Sequence, residues 1–186
     1  ATSDWVLCLD ADERVSPRLA EQIRRTLVEA PGAIAGYRMA RKTFFTVGYE
    51  RTTQAGLIAA RQANGVKRLI DTRDVANSRR AGFSKKLLAA SLDEGGMTYL
   101  HLRPLGTPKA GRDANRAGRM DDFRRIYMAR FSEPDAQLAL LEAEDLCRTS
   151  ATALLCFCGD EKKCHRHIIA TALEAKGLKR KEIAFR

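Results

Sequence analysis

The sequence predicts an α/β fold in three layers, a mostly parallel sheet with helices on both faces. Three observations predict it: short apolar runs recur along the chain, segments of helical periodicity alternate with them, and Gly, Pro or Asp clusters mark the changes. The first run, Asp4 to Leu9, reads as a buried strand entering the acidic loop Asp10-Ala11-Asp12-Glu13. Ser16-Pro17 supplies an N-cap and a first-turn proline for a helix with Leu19, Ile23 and Leu27 on one face, stopped by Pro31-Gly32. Ala35 to Phe45 reads as strand. The alternation then becomes regular: strand Phe44 to Tyr49, helix Thr53 to Asn64, strand Val66 to Thr72, helix Ser84 to Asp93, strand Thr98 to Leu102. After a Gly/Pro/Arg-rich loop, Pro104 to Gly118, come helices Asp121 to Phe131 and Asp135 to Arg148. Strand Ala151 to Phe157, helix Cys164 to Ala175 and strand Glu182 to Phe185 complete the series. Such a Rossmann-like alternation places ligands beyond the carboxyl ends of the strands.

Composition bounds the rest. The chain has 186 residues, 45% apolar and 30% charged, which suits one principal core and a folded domain. No apolar run approaches a membrane span and no signal-peptide layout opens the sequence, so the expected setting is the cytoplasm, without membrane partners. Five cysteines, three of them between Cys156 and Cys164, do not resemble a disulfide framework, and reduced thiols are expected. The net charge is +10, nearly all of it after residue 43: the first 43 residues carry seven basic and six acidic groups. That excess points to a phosphate-bearing partner, a small phosphorylated ligand or nucleic acid.

Asp10 and Asp12 at a strand end are suited to sharing Mg²⁺ or Mn²⁺ with a diphosphate, although an Asp-rich turn also caps a following helix. The longer string Asp4-Trp5-Val6-Leu7, Leu9-Asp10-Ala11-Asp12-Glu13 and Ala35-Gly36-Tyr37-Arg38 resembles family 2 glycosyltransferases. By that resemblance Asp10 and Asp12 correspond to the metal and sugar-nucleotide pair. It covers only residues 1–43, without the family's nucleotide-binding half or catalytic base, so the segment is expected to be a remnant, a fusion or a piece, inactive alone.

From Phe45 onward, over residues 44–186, the chain resembles the family catalogued as domain of unknown function 488. The residues that carry it are Gly48-Tyr49, Leu69-Ile70-Asp71-Thr72-Arg73, Ser78-Arg79-Arg80-Ala81-Gly82-Phe83-Ser84, Tyr99-Leu100-His101-Leu102, Leu105-Gly106, and Leu154-Leu155-Cys156 with Cys164-His165-Arg166. The resemblance implies a compact α/β fold with a shared pocket and brings no established reaction. Where the family tends to place an acidic residue after the strand cysteine, this chain has Cys158, which puts an acid/base role there in question.

Read from their chemistry, Arg73, Ser78, Arg79, Gly82 and Ser84 form an anion-binding design: arginine forks pair with phosphate, glycine admits close backbone approach, and a hydroxyl sits near a helix start. Against this, Asp71 could simply pair with an arginine, and Lys85 and Lys86 read as solvated charges. Cys156 ends a strand and Cys164-His165-Arg166 opens a helix, so the loop between can fold them together. Three readings compete there: a pocket without covalent chemistry, thiol chemistry at Cys164, and zinc. Zinc ranks last, because Cys-x-Cys is not the usual knuckle and adjacent Cys-His seldom share a metal. A lone strand-end histidine such as His101 is more often a hydrogen-bonded structural residue, and it is the family resemblance that implies a place for it in the pocket. The seven basic groups from Arg103 to Arg125 could form a nucleic-acid stripe, but Phe123 and Tyr127 lie at helical spacing and read as core. The combined expectation is a strand-end pocket for an anionic or phosphorylated ligand, held by Arg73, Arg79 and Arg166, with Cys164, His165 and Asp71 nearest any chemistry and no required cofactor.

Overall fold

A computed structural model describes residues 17–28 and 42–185. Asp10, Asp12 and the first expected strand lie outside the described residues. The elements are α1 (Pro17–Val28), β1 (Thr43–Gly48), α2 (Gln54–Ala63), β2 (Arg68–Asp71), α3 (Lys85–Glu94), β3 (Thr98–His101), α4 (Lys109–Arg116), α5 (Met120–Phe131), α6 (Pro134–Thr149), β4 (Thr152–Cys156), α7 (His165–Ala175) and β5 (Lys179–Ile183). No described helix is long and apolar enough to cross a membrane.

The five strands form one sheet in the order β3-β2-β4-β1-β5, with every pair parallel. Strand residues alternate between its faces. Phe44, Ile70 and Leu154 pack with Tyr127, Leu140 and Ile169 under α5, α6 and α7. Phe45, Leu69 and Leu155 pack with Leu57, Leu88 and Leu92 under α2 and α3. This is the expected three-layer α/β architecture, with a wholly parallel sheet.

Two expectations are corrected. The loop read from Pro104 to Gly118 contains α4 and a 3₁₀ turn, Arg103–Leu105. Helix α4 escapes a search for apolar periodicity because it buries only Gly111 and Ala114, small residues that let its backbone approach α5 closely. The last strand begins three residues before the expected Glu182–Phe185 and overlaps it only at Glu182 and Ile183, spanning Lys179–Ile183. Its charged side chains suit an edge strand paired only to β1.

A buried cation in α2 opposes folding. Arg61 in α2 is fully buried, its guanidinium meets the Met97 sulfur, and Nε and Nη1 have no hydrogen-bond partner. Burial lowers its pKa to about 10. Arg61→Met keeps an apolar stem of similar length and removes the unpaired charge, so it is expected to stabilise the fold by about 1–3 kcal/mol, read as a higher urea midpoint.

Candidate functional site

The connections after β1 and β2 leave toward the face covered by α2 and α3, whereas those after β3 and β4 lead to α4–α7. Strand β4 lies between β1 and β2, so its carboxyl end is a topological switch point, where an open α/β sheet leaves a crevice. Gly48 pairs in register with Cys156 there.

The residues expected to share one pocket separate across the sheet. Asp71 stands beside Leu155 in register and faces α2 and α3. Its carboxylate accepts from Arg73 Nε at 2.8 Å and Nη2 at 2.5 Å, and from the Tyr99 hydroxyl at 2.6 Å. Arg73 Nη1 donates to the Tyr49 hydroxyl at 2.8 Å and the Phe83 carbonyl at 2.9 Å. Tyr49 in turn stacks on Phe83 with centroids 4.2 Å apart. Burial works against the Arg73 charge, but the hydrogen bonds and charge of Asp71 outweigh it and raise its pKa. Burial and the same carboxylate push the Tyr99 hydroxyl up. Arg73 therefore ties β2 to β1 and α3, and its donors are engaged inside the protein. His101 belongs to this network as well: Nε2 lies 2.7 Å from the Arg73 carbonyl, which can only accept, so Nε2 carries the proton.

The β2–α3 connection is divided in role. The Ser78 hydroxyl accepts from the Arg80 amide at 3.2 Å, shaping the turn. Arg80 is fixed to the carbonyls of Glu50 and Thr52. Arg79 is exposed and has no ion-pair or hydrogen-bond partner among the described residues. Gly82 has φ +82°, and a Cβ there would lie 2.5 Å from the Gln54 side chain, which itself donates to the Gly82 carbonyl. Ser84 is the N-cap of α3, yet its hydroxyl makes no capping bond.

The second set gathers on the α7 side. Thr72, between Asp71 and Arg73, points the opposite way from them, and His165 Nε2 lies 2.9 Å from its carbonyl and 3.1 Å from its hydroxyl. The carbonyl fixes the proton on Nε2, which turns Nδ1 toward Cys156 Sγ and Cys164 Sγ, each 3.7 Å away. Cys156, Cys164 and His165 are buried, and their donor atoms lie within 4.8 Å of one another. Cys158 is half-buried and follows Cys156 by two residues, but its sulfur is not one of that close set of donor atoms. All three are free thiols. The Cys158 and Cys164 thiols, then His165, overcome burial and hold Cys156 well below the ordinary thiol range. Donating to Cys156 raises Cys158, and burial raises Cys164. Burial pulls His165 down, but the Cys156 thiolate outweighs it and its pKa rises. The Tyr127 ring, 5.3 Å from the imidazole, closes the inner wall.

Arg166, next on α7, is fully buried across the end of β1. Its Nη1 donates to the Cys158 carbonyl at 3.2 Å, and a Cβ on Gly48 would meet that carbonyl oxygen at 1.9 Å and Nη1 at 3.0 Å. The family model for domain of unknown function DUF488 matches residues 54–173, well over half of the chain. The chain belongs to this family. No curated protein and no solved structure matches it. The DUF488 span includes the Asp71–Arg73 pair, Thr72 and the whole thiol–imidazole set, and it begins after Gly48 and Tyr49, which complete both networks from β1. Sequence reasoning gave no role to Thr72 or Tyr49. The signal for Thr72 was strand alternation, which sets it opposite its two neighbours.

Proposed function

We propose that this DUF488 domain binds a small anionic or phosphorylated ligand at the carboxyl edge of the sheet, beside the β4–α7 loop. The observation that carries the reading is Arg166. Its guanidinium is fully buried, while Nε and Nη2 have no hydrogen-bond acceptor. The Glu182 carboxylate stands 3.9 Å away, beyond hydrogen-bond length. A buried cation with unspent donors costs several kcal/mol, and an anion's oxygens would offset that cost. A cavity of about 420 Å³, room for a small ligand, opens at Glu182, the carboxylate nearest Arg166; its lining is mixed in charge, with Asp160 and Glu161 beside Lys162, His167 and Arg180, and Arg166 itself does not line it. Glu182 is 40% exposed and can yield to an incoming anion by turning to water. Arg73 is left out of this reading because its donors are engaged, and Arg79 stands on the loop that leaves toward the other face.

Covalent thiol chemistry has less support, since Cys156 and Cys164 are buried and only Cys158 is partly open to solvent. The nucleic-acid reading is weakened by the pairing of the Arg103–Arg125 stripe: Lys109 and Arg116 meet Asp113, Arg119 and Arg125 meet Asp122, and Arg112 meets Asp74. Phe123 and Tyr127 are core, as their spacing predicts. Glycosyl transfer with Mg or Mn on Asp10 and Asp12 rests on residues outside the described ones, and the family match begins at residue 54.

The test is thermal unfolding of the full chain against inorganic phosphate, nucleotides and sugar phosphates. Saturable stabilisation is expected, about 2.7 kcal/mol at a hundredfold excess over Kd, and Arg166→Met should abolish it. If no phosphorylated compound stabilises the chain, or the variant responds equally, the reading fails. Stabilisation confined to oligonucleotides and fading with salt would favour the nucleic-acid reading instead.

A further inference from the structure

The thiol–imidazole cluster is built from different side chains than the proposed anion site. Soft donors converge here in a buried place. Cys156 ends β4, Cys158 follows two residues later, and Cys164 and His165 start α7. Adjacency of Cys164 and His165 would ordinarily send their side chains apart. Cys164, however, is the N-cap, with extended φ −124° and ψ 147°, and the chain turns into helix only at His165, so both side chains reach one point.

The distances match a metal polyhedron. Bonds of about 2.3 Å to sulfur and about 2.1 Å to nitrogen at a tetrahedral angle put S and N about 3.6 Å apart. Both Sγ–Nδ1 separations are 3.7 Å. The imidazole is also prepared in the way metal-bound histidines are: Nε2–H is held by the Thr72 carbonyl, leaving the Nδ1 lone pair toward the sulfurs. Burial of Cys156, Cys164 and His165 is what a closed coordination shell requires, whereas a thiol that attacks substrates needs access.

We propose that Cys156, Cys164 and His165, whose donor atoms already converge, bind a thiophilic divalent cation, zinc by its donor set, and that the half-buried Cys158, outside that close set, turns in to complete the tetrahedron. Binding forms three metal–sulfur bonds and one metal–nitrogen bond and releases to solvent whatever protons those donors carried. No electron transfer is involved. The site joins the end of β4 to the start of α7 and would pin the loop between them.

The test uses the full chain, reduced and stripped with a chelator, then titrated with cobalt(II). The expected result is one cobalt per chain, with a sulfur-to-metal charge-transfer band and tetrahedral visible bands that zinc abolishes. Cys156→Ser and Cys164→Ser should lose most of the charge-transfer band. Because either variant could unfold, a second reading is taken on the wild-type chain: one equivalent of zinc should suppress alkylation of the half-exposed Cys158. An octahedral cobalt spectrum without the sulfur band, or Cys158 alkylation unchanged by zinc, would overturn the proposal.

Discussion

Asp71→Ala is expected to destabilise the protein by about 3–5 kcal/mol, the cost of leaving one member of a buried ion pair without the other. Arg73 would keep its Tyr49 and Phe83 bonds while its charge, only 6% exposed, faced no carboxylate, and the Tyr99 hydroxyl would lose its acceptor. Removing both charges should hurt less than removing one. In the Asp71→Ala/Arg73→Met double variant the unpaired cation is gone, and much of the loss should return. Urea unfolding of the two variants and the parent measures this directly. A double variant worse than Asp71→Ala alone would mean that Arg73 supports the structure mainly through Tyr49 and Phe83.

Gly48→Ala is the second large effect. The added methyl would stand 1.9 Å from the Cys158 carbonyl oxygen, a backbone atom with no rotamer to change. Either β1 or the loop after β4 must move. Overpacking of this kind costs about 1–3 kcal/mol, and a backbone obstacle places this case at the upper end. The displaced loop carries Cys158 and the acceptor of Arg166, so the variant should also alkylate faster at Cys158 and bind metal more weakly. Unfolding and alkylation rates together test it. A variant as stable as the parent, with unchanged Cys158 reactivity, would show that the close approach of β1 to the β4–α7 loop is not maintained in solution.

Much of this organisation was legible from residue order. Alternating runs such as Phe44-Phe45 and Leu69-Ile70 imply a sheet buried on both faces, and their placement in two separate cores agrees. Helix α4 was not legible, because Gly111 and Ala114 pack through their smallness and leave no apolar period. The edge strand β5 was misplaced because Lys179, Arg180 and Lys181 read as a loop until their pairing with β1 is known.

The site divides in the same way. Cys156 and Cys164-His165-Arg166 stood out by type and spacing, and the loop brings them together. That Asp71 and Arg73 belong to the opposite face required the register of β2 on β4, where Asp71 meets Leu155. The convergence of Cys164 and His165 on one point was not legible, because adjacent side chains ordinarily diverge and the N-cap conformation of Cys164 is what turns them together. Gly48 and Gly106 owe their place to close backbone approach: a Cβ on Gly106 would stand 2.1 Å from the Asp74 amide nitrogen. Composition could not reveal those contacts.

Whether Cys156, Cys158, Cys164 and His165 hold a metal is tested most directly by X-ray absorption at the zinc edge of the chain given one equivalent of zinc. The expected spectrum is fitted by three sulfurs at about 2.3 Å and one nitrogen at about 2.0–2.1 Å. A first shell of oxygen and nitrogen alone would contradict it and leave the three thiols as a hydrogen-bonded cluster without a metal.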